Sequence, residues 1–164
     1  MKILTAALLM LSLSTVALAG DPAEWFDLEG CGMCKHLLED QDLFQHMNWE
    51  THRITNGMVE ITTFPDGYAE RFDALMKKME TSGEKMMAGE KLPMCNMCKS
   101  YGALMQAGAD FDQVSMDNGM VGVITSRDPE TVAMIHEHVK TTNKAYDMMM
   151  AEDGHGHDHQ GHAH

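Results

Sequence analysis

The chain has 164 residues, 44% of them apolar, which is enough to bury a core for one ordinary domain or two very small ones and excludes wholesale disorder. Acidic side chains outnumber basic ones 25 to 12, for a formal charge of -13, so the phosphate neutralisation that drives nucleic-acid binding has no source, and adhesion to an anionic membrane is equally disfavoured. Sulfur and imidazole are the unusual entries in this composition: 18 Met against 5 Phe, with four Cys and ten His.

Residues 1–19 read as a secretory signal peptide: a Met1-Lys2 n-region, an apolar run from Ile3 to Val16 and an Ala17-Leu18-Ala19 cleavage site. The run is short and is followed by Asp21-Pro22-Ala23-Glu24 without a basic stop, which argues against a retained membrane anchor. The expected location is periplasmic or secreted, where paired thiols either oxidise to a disulfide or are held by a metal or a dedicated partner.

The rest of the chain repeats itself. Cys31-Gly32-Met33-Cys34-Lys35 returns as Cys95-Asn96-Met97-Cys98-Lys99, and Asn56-Gly57-Met58-Val59 returns as Asn118-Gly119-Met120-Val121, in the same order. A repeat this long, in two copies, points to a duplicated unit packing on its copy about a pseudo-twofold. The units are 20–81 and 94–152, with 82–93 as the connection. The expected fold class is α+β: duplicated helix-hairpin-helix units forming a four-stranded antiparallel sheet with helices packed on one face.

Within the first unit Cys31, Cys34, Leu38, Phe44 and Met47 fall near helical spacing, and Asn56-Gly57 reads as a type I′ hairpin turn. Pairing across that turn sets Ile54 beside Val59, His52 beside Ile61 and Arg53 opposite Glu60. The expected buried face carries Ile54, Val59 and Ile61, matched in the second unit by Val114, Met116, Val121 and Val123. An amphipathic helix follows each hairpin, through Tyr68, Phe72, Leu75, Met76 and Met79 in one unit and Val132, Ile135, Val139, Thr142 and Tyr146 in the other. Asp128 and Pro129 are the N-cap and first residue of the second.

The two C-x-M-C pairs carry the chemical signal. Gly30 and Pro93 suit helix starts, where the backbone dipole favours thiolate, and sulfurs three residues apart share a helix face. Cys31, Cys34, Cys95 and Cys98, with Met33, Met97 and Met94 beside them, form a soft donor set suited to Cu(I) or Zn(II). A pseudo-twofold could bring all four Cys into one closed tetrahedral site holding structural zinc. Two short-range disulfides are the alternative in an oxidising compartment. A thioredoxin-like role is disfavoured because no strand precedes the first pair. Over five residues per copy, Lys35 and Lys99 stand where C-x-x-C-H has its His, which resembles the lysine-ligated haem site of multihaem nitrite reductases. That resemblance implies a covalent haem, the weakest of these readings because no C-x-x-C-H stands in the chain.

Residues 153–164 hold His155, His157, His159, His162 and His164 among Gly, Asp, Gln and Ala. Such a segment cannot pack and reads as a disordered arm that captures Zn(II), Ni(II) or Cu(II). His52 is expected on the apolar hairpin face as a packed histidine, His136 beside the core stripe, and His138 on the exposed side, while His36 and His46 flank the first helix. Met58, Met76, Met79, Met105, Met116 and Met120 fall on packing stripes. The ligand candidates outside the Cys motifs are therefore Met86, Met87 and Met148 to Met150. No nucleophile elbow, phosphate loop or acid pair marks an enzyme. The sequence reads as an exported metal-binding protein, handling Cu(I) through its C-x-M-C pairs, with metal ions and, for delivery, another metal-handling protein as partners.

Overall fold

The structure is a computed structural model that describes residues 22–152, so the expected signal peptide and the His-rich tail lie outside the described residues. A short helix α1 (Pro22–Trp25) leads into a 3-10 helix (Cys34–Asp40), α2 (Gln41–His46), strands β1 (Asn48–Ile54) and β2 (Gly57–Thr63), and α3 (Ala69–Met87). Then come α4 (Asn96–Gln106), strands β3 (Asp110–Met116) and β4 (Gly119–Thr125), and α5 (Pro129–Glu152). The four strands form one antiparallel sheet in the order β1-β2-β4-β3, so the two hairpins join along β2 and β4. This is an α+β fold.

That central seam depends on glycine. A Cβ on Gly57 would overlap the carbonyl oxygen of Ile124, and one on Gly119 would overlap that of Thr62. The hydrogen bonds at the two ends of the seam correspond as well: Phe64 N–H donates to Asn118 O and Ser126 N–H to Asn56 O, both at 3.0 Å. Each glycine is thus the first residue of a strand where two backbones approach closely, not part of a turn. The two-residue hairpin loop is Thr55-Asn56, and Ile54 pairs with Gly57, Arg53 with Met58 and His52 with Val59. The pairing expected from an Asn-Gly turn is therefore displaced, because Gly57 is spent on the neighbouring hairpin.

The buried side of the sheet is also the opposite of the one expected. Helices cover the face of Met58, Met120 and Ile124, packing Leu104, Ile135 and Val139 against Met58 and Ile124, and Phe64, Phe72 and Leu75 near Met120. The face of Val59, Ile61, Val121 and Val123 stays half-buried, with Val114 58% and Met116 39% exposed. The covered face looked too polar because it carries Thr51, Glu60 and Thr62, yet Glu60 accepts a hydrogen bond from Tyr101 on α4. The central strands are apolar on both sides, so alternation alone could not choose between them.

Two helix boundaries differ from simple periodicity. Asp40 adopts a non-helical backbone and accepts from Leu43 N–H at 3.0 Å, so it caps α2 and breaks the expected first helix into a 3-10 piece and a short α-helix. Asp40 is itself held by Arg71, which also donates to Asp42 at 2.6 Å. Helix α3 runs on to Met87, taking up the first half of segment 82–93, because Ser82 is buried against His36, its Oγ 2.9 Å from Nε2. Asp128 caps α5 as expected, accepting from Thr131 N–H at 2.9 Å.

Substituting Gly57→Ala or Gly119→Ala should each cost about 2 kcal/mol or more, since backbone, not a pliable side chain, occupies the space. Urea denaturation of the two variants should give similar losses; an effect below about 0.5 kcal/mol at either position would contradict the close seam.

Candidate metal centre

Two short turns present the cysteines. Gly30 N–H donates to Asp27 Oδ1 at 2.8 Å and Cys31 N–H to Asp27 O at 3.1 Å, which folds the chain ahead of the first pair. Cys34 then opens the 3-10 helix, its N–H directed at Cys31 Sγ at 3.4 Å. In the second pair Cys95 is the N-cap residue of α4, in an extended conformation, so Cys98 lies in the first helical turn. Lys35 N–H donates to Cys31 O and Lys99 N–H to Cys95 O, at 3.1 and 3.0 Å, the same closure in both motifs. A direct bond from Gly32 N–H to Pro93 O at 2.7 Å fastens one turn to the other. A side chain at Gly32 would crowd Leu92, so this position needs glycine for close approach.

The four sulfur atoms converge. Cys31 Sγ lies 3.7 Å from Cys98 Sγ, and Cys34 Sγ lies 3.7 Å from Cys95 Sγ and 3.5 Å from Cys98 Sγ. All four lie within 4.8 Å of one another. A tetrahedral ion with bonds of about 2.3 Å to sulfur requires sulfur–sulfur edges of about 3.8 Å, close to these separations. A disulfide requires about 2.05 Å, and all four cysteines are free. The close approaches run between motifs, which differs from the short-range disulfides considered above. The same convergence is unsuited to covalent haem, in which each pair would point at its own macrocycle. Cys31, Cys34 and Cys95 are 0%, 2% and 4% exposed, and Cys98 is half-buried, so the group is largely shut off from solvent.

The thiols are electrostatically coupled. Hydrogen bonds from Cys34 and Cys98 stabilise a thiolate at Cys95, pulling its pKa well down. Cys34 is pushed far up by its hydrogen bond to Cys95, then by Cys98 and burial. At Cys98 the Cys34 bond lowers the pKa, but the bond to Cys95, burial and the neighbouring negative charge outweigh it. The metal-free cluster therefore accommodates one thiolate easily and further ones only at high cost, which a cation at the centre would offset.

Among the sulfur candidates, Met33 and Met97 pack against the cysteines, as do Leu28 and Leu37. Met94 is half-buried but outside this cluster, and Met86, Met87, Met148 and Met149 are not among the described residues packed on it. Among the described residues the four Cys are the one group of three or more His, Cys, Asp or Glu with ligand atoms so gathered. His155, His157, His159, His162 and His164 lie outside the described residues.

Two of the other histidines, His52 and His138, are placed differently from expectation, while His136 lies half-buried beside the core residue Ile135 as expected. His52 is not packed: its side chain is 57% exposed, on the uncovered sheet face, 2.9 Å from Glu50. His138 is not exposed: it is 2% accessible, sharing a 2.8 Å hydrogen bond with Ser100 and lying against the rings of Trp25 and Tyr101. His136 reaches Ile54 O at 2.9 Å. Periodicity misplaced His138 because the short α1, which supplies Trp25 as its cover, carries no strong signal of its own. Tyr101, Glu60 and His138 thus form a buried polar group one helical turn beyond Cys98 that no motif announced.

Burial lowers the His138 pKa to about 4 from the ordinary 6.5. Neutral His138 thus contributes stability that is present above pH 6.5 and lost as pH falls toward 4, about 3 kcal/mol at most. In metal-free, reduced protein, urea midpoints should fall across that window, and His138→Gln should flatten the fall. An unchanged slope in the variant would contradict the assignment. Comparison of the chain with protein-family models, curated proteins and solved structures finds no match.

Proposed function

We propose that the chain is an exported metal-binding protein holding a single soft ion in a tetrathiolate centre made by Cys31, Cys34, Cys95 and Cys98. The observation that carries this reading is the set of sulfur–sulfur separations of 3.5–3.7 Å between motifs more than sixty residues apart in the chain. Zn(II) is the ion that suits a closed four-sulfur tetrahedron best, since it has no geometric preference of its own and needs no open position in such a site. In this role the ion staples the two turns and, through the 3-10 helix and α4, the two ends of the fold. The sequence repeat, the matching seam hydrogen bonds and the paired Gly57 and Gly119 support a second element of the reading: the two halves descend from one helix-hairpin-helix unit, each contributing two ligands.

One observation favours Cu(I) handling as a second reading. Met33 and Met97 sit inside the C-x-M-C motifs and pack on the sulfurs, a feature that structural zinc does not require. The thioethers would shield a Cu(I)-thiolate centre or take the ion as it leaves toward another metal-handling protein. The acidic surface raises local cation concentration, and His155, His157, His159, His162 and His164 would collect Zn(II), Ni(II) or Cu(II) ahead of it.

Anaerobic purification of the mature chain, followed by thiol counting, metal analysis and titration, tests this. The expected result is one tightly held ion per chain with Zn(II) added, release of protons on binding and strong weakening at acid pH. Cys98→Ser should weaken binding by more than about 100-fold, whereas deleting residues 153–164 should lower total Zn(II) capacity and leave the tight ion in place. Replacing Met33 and Met97 with Leu should spare Zn(II) and lower Cu(I) affinity or transfer rate if copper is the cargo. Four cysteines that recover as disulfides and take up no metal after reduction would overturn the proposal.

A further inference from the structure

The uncovered face of the sheet presents Val59, Ile61, Val121 and Val123 at its centre, with Val114 and Met116 toward one edge. Every strand residue in the helix-covered clusters comes from the other face, namely Met58, Met120 and Ile124. A sheet polar on its free side needs no cover, but this one places four aliphatic side chains on adjacent central strands. We propose that this face docks a second copy of the same chain, sheet against sheet, to give a twofold dimer.

The register supports self-association over a different partner. Four rows cross the face: His52, Val59, Val123, Asp112 and Glu50, Ile61, Val121, Val114 at the centre, flanked by Ile54, Gly57, Thr125, Asp110 and by Asn48, Thr63, Gly119, Met116. A twofold axis running along the strands reverses each row on the second copy. His52 then lies over Asp112 of that copy, Glu50 over Val114, Val59 over Val123 and Ile61 over Val121. An axis across the strands exchanges the rows instead, setting His52 over Glu50 and Asp112 over Val114. Asp110 falls over Ile54 in the first arrangement and over Met116 in the second, so neither places an acid over an acid, although each chain carries -13, and both leave Val59, Ile61, Val121 and Val123 facing one another. Four strands about 4.8 Å apart and seven residues long at about 3.4 Å each give a footprint of about 450 Å² per copy. The pair would bury about 900 Å², below the usual size of a tight complex, so the dimer should be concentration-dependent and strengthened by salt that screens the net charge.

Sedimentation velocity on the full mature chain, as purified with its metal, tests this across roughly 1 to 500 µM. A monomer–dimer equilibrium is expected. Val114→Glu introduces an acid over Glu50 or Asp112 in either arrangement and should weaken the dimer at least about tenfold, while Val114→Lys should hold it or tighten it. Val114 is 58% exposed in the single chain, so circular dichroism and metal content should be unchanged in both variants. A monomer throughout, as expected if the face serves an unrelated protein, overturns the proposal. So does a dimer indifferent to Val114→Glu, or one weakened equally by both substitutions.

Discussion

Four sulfur atoms drawn from two turns of the chain meet in a space that three of them share without solvent, and the remainder of the architecture keeps those turns together. The Gly32 to Pro93 hydrogen bond fastens the turns directly. The β2–β4 seam brings the two hairpins into one sheet, and helices α3, α4 and α5 close over a single side of it. Burying four thiols without a cation is tolerable only while most stay protonated, because each added thiolate raises the cost of the next. The energetics of the fold and the affinity of the site are therefore one problem: an ion bound only by the assembled cluster stabilises the folded chain through linkage.

The polar group beyond the cluster belongs to the same design. Tyr101 lies one helical turn after Cys98 and donates to Glu60 on the central strand, while His138 on α5 packs against its ring. Burial raises the Glu60 pKa even though the Tyr101 hydrogen bond opposes the shift, and it raises that of Tyr101 as well. These groups tie α4, whose first turn and cap present Cys98 and Cys95, to the sheet and to α5. Their polar atoms are costly to bury and help specify a single packing of the helix, a role suited to an element that must place sulfur atoms within a few tenths of an ångström.

Much of this was legible in the residues. The repeated C-x-M-C-K and N-G-M-V segments foretold the four-stranded antiparallel sheet and which strand residues share a face, while a single four-cysteine cluster was one of several arrangements they allowed. What stayed hidden had physical causes. Gly57 looks like a turn glycine because the local chain cannot reveal that another hairpin will pass within contact distance of it. Val59 and Ile61 look like core because they are more apolar than Thr62 and Glu60, while Tyr101, which donates to one oxygen of the buried Glu60, comes from a distant segment. Asp40 interrupts a helical stripe through its own capping bond, and His138 is buried by a tryptophan more than a hundred residues away. The thiols were readable as a group; that all four gather in one place depended on distances that only the folded chain provides.

X-ray absorption at the zinc edge of the Zn(II)-loaded chain measures directly whether one ion is held by four sulfurs. In protein lacking residues 153–164 a single shell of four sulfur neighbours at about 2.3 Å is expected, with no nitrogen or oxygen in the inner shell of the tightly bound ion. A shell dominated by nitrogen or oxygen, or one with only two sulfurs, would contradict it.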